Sequence, residues 1–91
     1  MIRSFRSRAL AAFWNKGDAS RIRPDHAVRL RLRLEALHAA RLPADMNLPG
    51  FGFHRLHGRP VRYSVHVSGP WCLTFEWSGE DATRLEYEQY H

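Results

Sequence analysis

The sequence predicts an α+β domain in two layers, with two helices packed on an antiparallel sheet of four to five strands. Three observations predict it. The first half carries two helix-like segments. The second half switches to short alternating runs separated by turn residues. The length of 91 residues holds one small domain, read as spanning 1–91, and leaves no room for a nucleotide-binding βαβ repeat beside it.

The elements follow in order. Ile2–Arg6 opens with a short alternation that makes Ile2 and Phe5 candidate inward residues. Arg8–Lys16 predicts a helix: Leu10, Phe13 and Trp14 fall at i, i+3, i+4, and Gly17 stands where a helix ends. Asp18–Pro24 reads as a loop. Val28–Leu34 then alternates apolar residues with arginine, which is a strand signature. Yet the run is leucine rather than β-branched, Pro24-Asp25 opens it with a helix-start signal, and Glu35–Ala40 are helix formers. The segment 25–41 is therefore expected to be helical, burying Ala27, Leu30, Leu34 and Leu37 and turning Arg29, Arg33 and Arg41 to more polar faces. Leu42–Phe53, with Pro43, Pro49, Gly50 and Gly52, is expected to be mostly loop. Four strands follow at Phe51–His57, Val61–Val67, Trp71–Trp77 and Ala82–Tyr90. Turns at His57–Pro60, Ser68–Pro70 and Ser78–Asp81 separate them.

The composition is that of an ordinary globular domain, 44% hydrophobic and 25% charged, with a net charge of +5. Thirteen of the 14 basic residues are arginine, and Lys16 is the only lysine. The charge is lopsided: residues 1–42 carry a net +7 and residues 43–91 a net −2. Arginine grips phosphate in a bidentate fork and stacks on bases, so a nucleic acid or an acidic protein is the expected partner. Genomic base composition explains the arginine-to-lysine ratio as well as function does, but not the net charge. Cys72 is alone, which excludes an internal disulfide and a cysteine zinc cluster. The longest apolar run, Ala9–Trp14, is too short to span a membrane or form a signal core, so a cytoplasmic protein without membrane attachment is expected. No HExxH, Walker loop or nucleophile elbow is present, and no metal or cofactor is expected.

What remains for chemistry is a set of imidazoles and a phenol. His54 and His57 are three apart, so an ideal strand sends them to opposite faces; only a bend, for example near Gly58, would bring both to one edge. Imidazole exchanges protons near neutral pH. Attack of an RNA 2′-hydroxyl on its neighbouring phosphate needs a base, an acid for the leaving 5′-oxygen and cations for the phosphorane. Histidine, tyrosine and arginine supply all three. His26, His38 and His66 are read as structural, and spacing alone gives His91 no role.

The second half also carries motifs that resemble a known family. Leu48–Gly58 is similar to a proline–glycine loop followed by a His-Pro-Leu-Lys-Gly strand end. Ser64–Phe75 is similar to a Ser-Gly-Asn-Trp-Arg segment with Thr-Phe after it. Gly79–Ala82 with Tyr87–His91 resembles a Gly-Asp-Ala turn and a Tyr-Glu-Asp-Tyr-His terminus. With the Met1–Arg6 opening and the leucine-rich Ala27–Ala40 helix, the likeness to the HigB-like branch of the RelE/ParE toxin superfamily runs nearly end to end. The resemblance implies a RelE-like fold and a toxin of a type II toxin–antitoxin module. It implies a ribosome-dependent, metal-independent mRNA endoribonuclease whose partners are the 70S ribosome and mRNA. It also implies a cognate helix-turn-helix antitoxin that inhibits the toxin, the pair binding operator DNA. It assigns catalysis to His54, Tyr90 and His91.

Departures from the pattern stand beside it. The family lysine is His57, its arginine after tryptophan is Cys72, its terminal aspartate is Gln89 and its asparagine is Pro70. The expected site is therefore His54, His57, Tyr90 and His91, with Arg55, Arg59, Arg62 and Arg84 available to meet RNA in place of the lost arginine. The alternative expectation is a catalytically weakened member acting mainly as an antitoxin-binding or RNA-binding protein. The ten basic residues of 1–42 are expected mostly outside the site.

Overall fold

The computed structural model describes residues 1–90. Helix α1 spans Arg8–Lys16, between a Ser7 N-cap whose Oγ accepts the Leu10 N–H at 3.1 Å and a Gly17 C-cap at φ +69°. That left-handed conformation suits glycine and stops the helix where the sequence predicts. A 3₁₀ turn, Pro24–His26, runs directly into helix α2, Ala27–Ala39. Strands β1 (His54–Arg55), β2 (Tyr63–Ser68), β3 (Trp71–Ser78) and β4 (Asp81–Gln89) form one antiparallel sheet in the order β1-β2-β3-β4. The N-terminal segment adds parallel bridges to the far edge, pairing Ile2 with Ala82 and Phe5 with Leu85. The result is the α+β arrangement of the RelE-like type.

Both helices cover one face of the sheet. Leu10 and Phe13 of α1, Leu30, Leu34 and Leu37 of α2, and Val65, Val67, Leu73, Phe75, Ala82 and Leu85 of the sheet form a shared core. Ala82 and Leu85 both point inward because β4 carries an extra residue: Thr74 faces Glu86, yet Glu76 faces Thr83. This bulge resets the strand alternation, with Arg84 at φ +52°. Among the described residues no helix is long and apolar enough to cross a membrane.

Two expectations need correction. Arg33 is not on a polar face of α2; it is buried, at 9% exposure. Leu30, Arg33, Leu34 and Leu37 stand at i, i+3, i+4, i+7, so helical geometry carries Arg33 inward with the leucines. The first meander strand, expected over 51–57, shrinks to two residues. Gly52 adopts φ +54°, Leu56 is buried as the chain leaves the sheet, and Gly58 adopts φ +111°, so the chain bends on both sides of His54–Arg55. The loop over 42–53 contains a 3₁₀ turn, Pro43–Met46, that buries Met46; Asp45 caps it by accepting the Arg41 and Leu42 N–H groups.

Candidate active site

The face of the sheet away from the helices carries the chemistry. On it Ser64, Thr74 and Glu86 form one cross-strand row with His54 at its end, and His66, Cys72 and Glu88 form the next. Beyond β1 the chain leaves the sheet at Leu56, whose N–H donates to the Arg62 carbonyl at 2.9 Å, and crosses His57–Pro60 before returning as β2. The end of β4 comes back beside this crossing. Tyr90 donates its backbone N–H to the Pro70 carbonyl at 2.8 Å, which fixes the backbone while the residue as a whole stays 42% exposed.

Cavities open between these segments, and Tyr90 lines two of them. The larger, of about 440 Å³, is lined by His54, Arg55, Leu56, His57, Cys72 and Tyr90. The smaller, of about 250 Å³, shares Leu56, His57 and Tyr90 with it and adds Gly58, Arg59, Pro60, Arg62, Glu88 and Arg6. The structure thus brings His54, His57 and Tyr90 to one concavity with Arg55 on its wall, while Arg59 and Arg62 line the smaller cavity beside it. The bend after Arg55 lets two histidines three apart line the same space. Arg84 does not join them: it is at the β4 bulge, outside either lining, with Nε 3.4 Å from Glu76 Oε2. His91 lies outside the described residues.

The cations differ in how freely they meet a ligand. Arg62 is mostly enclosed, donating to Glu76 Oε2 at 2.8 Å, to Thr74 Oγ1 at 2.9 Å and to the Arg84 carbonyl at 3.1 Å. Thr74 in turn donates to Glu88. This ladder holds the guanidinium rigidly at the smaller cavity while offsetting much of its charge. Arg59 and Arg55 are exposed. The Cys72 thiol is buried and donates weakly to the Pro70 carbonyl. Among the described residues no three His, Cys, Asp or Glu side chains gather as metal ligands would.

Two lining residues escape the sequence reading. Glu88 has the strand parity of Tyr90, a signal alternation alone contains. Arg6 has no local signal; it arrives because the N-terminal segment pairs with β4, and it is the exception to the expectation that basic residues of 1–42 lie outside the site. The histidines read as structural serve that way. His26 is buried, with Nδ1 2.7 Å from the Tyr87 hydroxyl, and its ring meets Trp71 edge-on. His38 Nδ1 accepts the Ile2 N–H at 3.1 Å, and His66 Nε2 is 3.0 Å from the Gly69 carbonyl.

With this geometry in place, the chain can be set beside known proteins. A family model described as "RelE-like toxin of type II toxin-antitoxin system HigB" matches residues 3–91. A curated relative, Endoribonuclease HigB of Proteus vulgaris, is 33% identical over 92 residues, covering 100% of both chains.

Proposed function

The chain belongs to the HigB-like family of RelE-like toxins from type II toxin–antitoxin systems, and on that premise we propose that it is a cytoplasmic endoribonuclease that cuts mRNA on the ribosome by metal-independent attack of a 2′-hydroxyl on the adjacent phosphate. The observation that carries this reading is the convergence of His54, His57 and Tyr90 on one cavity of about 440 Å³, continued by a second one bordered by three arginines. The family implies a cognate antitoxin as partner; we take it to be a helix-turn-helix protein that inhibits the toxin and binds operator DNA with it. Residues 1–91 act as one domain in this reading.

The proposed roles follow from chemistry. His54 or His91 takes the 2′-hydroxyl proton. The other histidine, with Tyr90, returns a proton to the leaving 5′-oxygen or orients the phosphate. Protonated His57 and the guanidinium groups of Arg55, Arg59 and Arg62 offset the charge that develops on the phosphorane. Arg6 belongs with them. Arg84 takes a supporting part by sharing Glu76 with Arg62. The test is cleavage of mRNA on purified 70S ribosomes, with cut ends mapped. His54→Ala and Tyr90→Phe are each expected to slow cleavage by about 10²–10⁴-fold. Undiminished cutting by His54→Ala rules the assignment out.

One observation favours a second reading, in which the fold persists but cleavage is weak. Cys72 stands on the wall of the larger cavity where the family places an arginine, and the enclosed Arg62 is already paired to Glu76. A lost transition-state donor commonly costs about 10²–10³ in rate. If Cys72→Arg raises cleavage by that order, the native site is crippled and the protein acts mainly as an antitoxin-binding or RNA-binding member. If the rate is unchanged, the neighbouring arginines compensate.

A further inference from the structure

Arg33 is the one buried arginine of α2, and no step proposed above uses it. Its hydrogen bonds go to carbonyl oxygens on three separate elements. Nε donates to His66 of β2 at 2.6 Å, Nη2 to Gly50 of the preceding loop at 3.2 Å, and Nη1 to Arg29 within α2 at 3.2 Å. The Phe51 ring covers the guanidinium, with 4.5 Å from its central carbon to the ring centroid. Burial, and then the charge of Arg29, hold its pKa below the usual arginine range. A buried cation held only by carbonyls is expensive, and an apolar side chain of similar volume avoids that cost. The arrangement therefore calls for a purpose beyond packing.

The chain between Gly50 and His54 shows what the clamp controls. Phe51 is held from both sides of its backbone: its N–H donates to Leu48 at 3.0 Å, and its carbonyl accepts from His66 at 2.6 Å. A Cβ at Gly52 would stand 3.4 Å from His66 Cβ, so the loop lies close against β2. Three residues beyond Phe51 comes His54, on an edge strand with only two register pairs, His54–Ser64 and Arg55–Tyr63. So short a ladder does little to fix its own position. The stronger fixtures are upstream, and Arg33 ties them to the helix layer.

We propose that Arg33 is a positioning residue for the RNA-cleaving cavity: by clamping the Gly50 and His66 carbonyls it sets where β1 begins and so where the His54 imidazole stands. This rests on the ribonuclease reading of the cavity. The guanidinium lies on the helix side of the sheet and meets RNA only through its effect on His54.

Arg33→Met keeps the volume and removes the fork; Arg33→Lys keeps the charge. On mRNA-programmed ribosomes, kcat of Arg33→Met is expected to fall about 10- to 100-fold, the scale of a displaced catalytic group, with KM within about threefold. Arg33→Lys recovers part of the rate. In a His54→Ala background the Arg33→Met loss shrinks to less than about twofold, because residues acting through one another are not additive. Equal fold-losses in both backgrounds overturn the proposal, since general structural damage multiplies. Should Arg33→Met not fold, Phe51→Leu carries the test: it keeps the guanidinium, removes the covering ring and lowers kcat by at least about threefold with the same dependence on His54.

Histidine-ring NMR supplies a readout independent of cleavage. Arg33→Lys and Phe51→Leu are expected to shift the His54 ring signals and leave those of His38 in place. If those shifts appear but the wild-type protein cuts no RNA, the ribonuclease reading falls and the positioning role stands. If His54→Ala abolishes cutting while the Arg33 and Phe51 variants change neither kcat nor the His54 signals, the positioning role is wrong.

Discussion

The Tyr87 hydroxyl lies 2.7 Å from His26 Nδ1, and its ring stacks on Trp71 at 4.6 Å, so one phenol joins the segment before α2 to the last strand. Burial is the main cause of its raised pKa, partly opposed by the Arg23 backbone N–H and charge. The consequence for stability has a definite sign. In the unfolded chain a phenol deprotonates near pH 10; in the folded chain Tyr87 does so later. Between those values the unfolded state binds fewer protons, so this contribution is full below about pH 10 and is lost as pH rises through the folded pKa. Tyr87→Phe is expected to cost about 1–2 kcal/mol at neutral pH by leaving the His26 nitrogen without its partner. It should also flatten the alkaline fall in stability. Urea unfolding at several pH values from neutral to about 11 checks both; a variant with the wild-type alkaline slope removes Tyr87 as the cause. Single residues also show the limits of sequence reading. Alternation sends His54 and His57 apart, and they line one cavity because the strand ends at Arg55 and the chain leaves the sheet at Leu56. The Tyr87–His26 pair was not, because 61 residues separate them.

Elements were most legible where local signals agreed. Helix α1 begins and ends where the periodicity and Gly17 place it. For α2 the alternating leucines argued for a strand, and flanking propensity decided correctly for helix. The conflict leaves a physical trace: a helix cannot bury residues two apart on one face. Leu30, Leu34 and Leu37 are fully buried, while Val28 is 74% and Leu32 54% exposed. The two leucines of the Leu32–Leu34 step therefore differ sharply in what they contribute. Leu34→Ala is expected to destabilise the protein by about 2–5 kcal/mol through the cavity it leaves. Leu32→Gln is expected to stay within about 0.5 kcal/mol of wild type. Thermal or urea unfolding separates them, and a large loss in Leu32→Gln means that α2 is rotated from the orientation described. Strand β1 was overextended because a loop held by a distant arginine, with Phe51 and Phe53 two apart, looks in sequence like the start of an alternating strand. No local pattern marks the Gly50 and His66 carbonyls as acceptors for Arg33.

For the whole molecule, the charge asymmetry along the chain does not survive as a separation in space. The net +7 of residues 1–42 and the net −2 of residues 43–91 suggest a basic half that docks and a mildly acidic half that reacts. The parallel pairing of the N-terminal segment with β4 breaks that division. Arg3 comes to Asp81 at 3.1 Å, and Arg6 reaches the cavity beside Arg59 and Arg62. The cations that face a bound phosphate backbone are therefore drawn from both halves. Their number is readable from salt dependence, because each phosphate neutralised on single-stranded RNA contributes about 0.7 to the slope of log affinity against log salt. A fully 2′-O-methylated RNA, which lacks the attacking hydroxyl, allows the slope to be measured without cleavage by fluorescence anisotropy. Replacing Arg6 and Arg59 together by glutamine is expected to reduce the magnitude of the slope by about 1.4. Arg3→Gln, whose guanidinium is already paired with Asp81, is expected to leave the slope unchanged. If the double variant keeps the wild-type slope, these arginines do not meet phosphate. RNA binding then rests on arginines away from the cavity, such as the exposed Arg29 and Arg31 of α2.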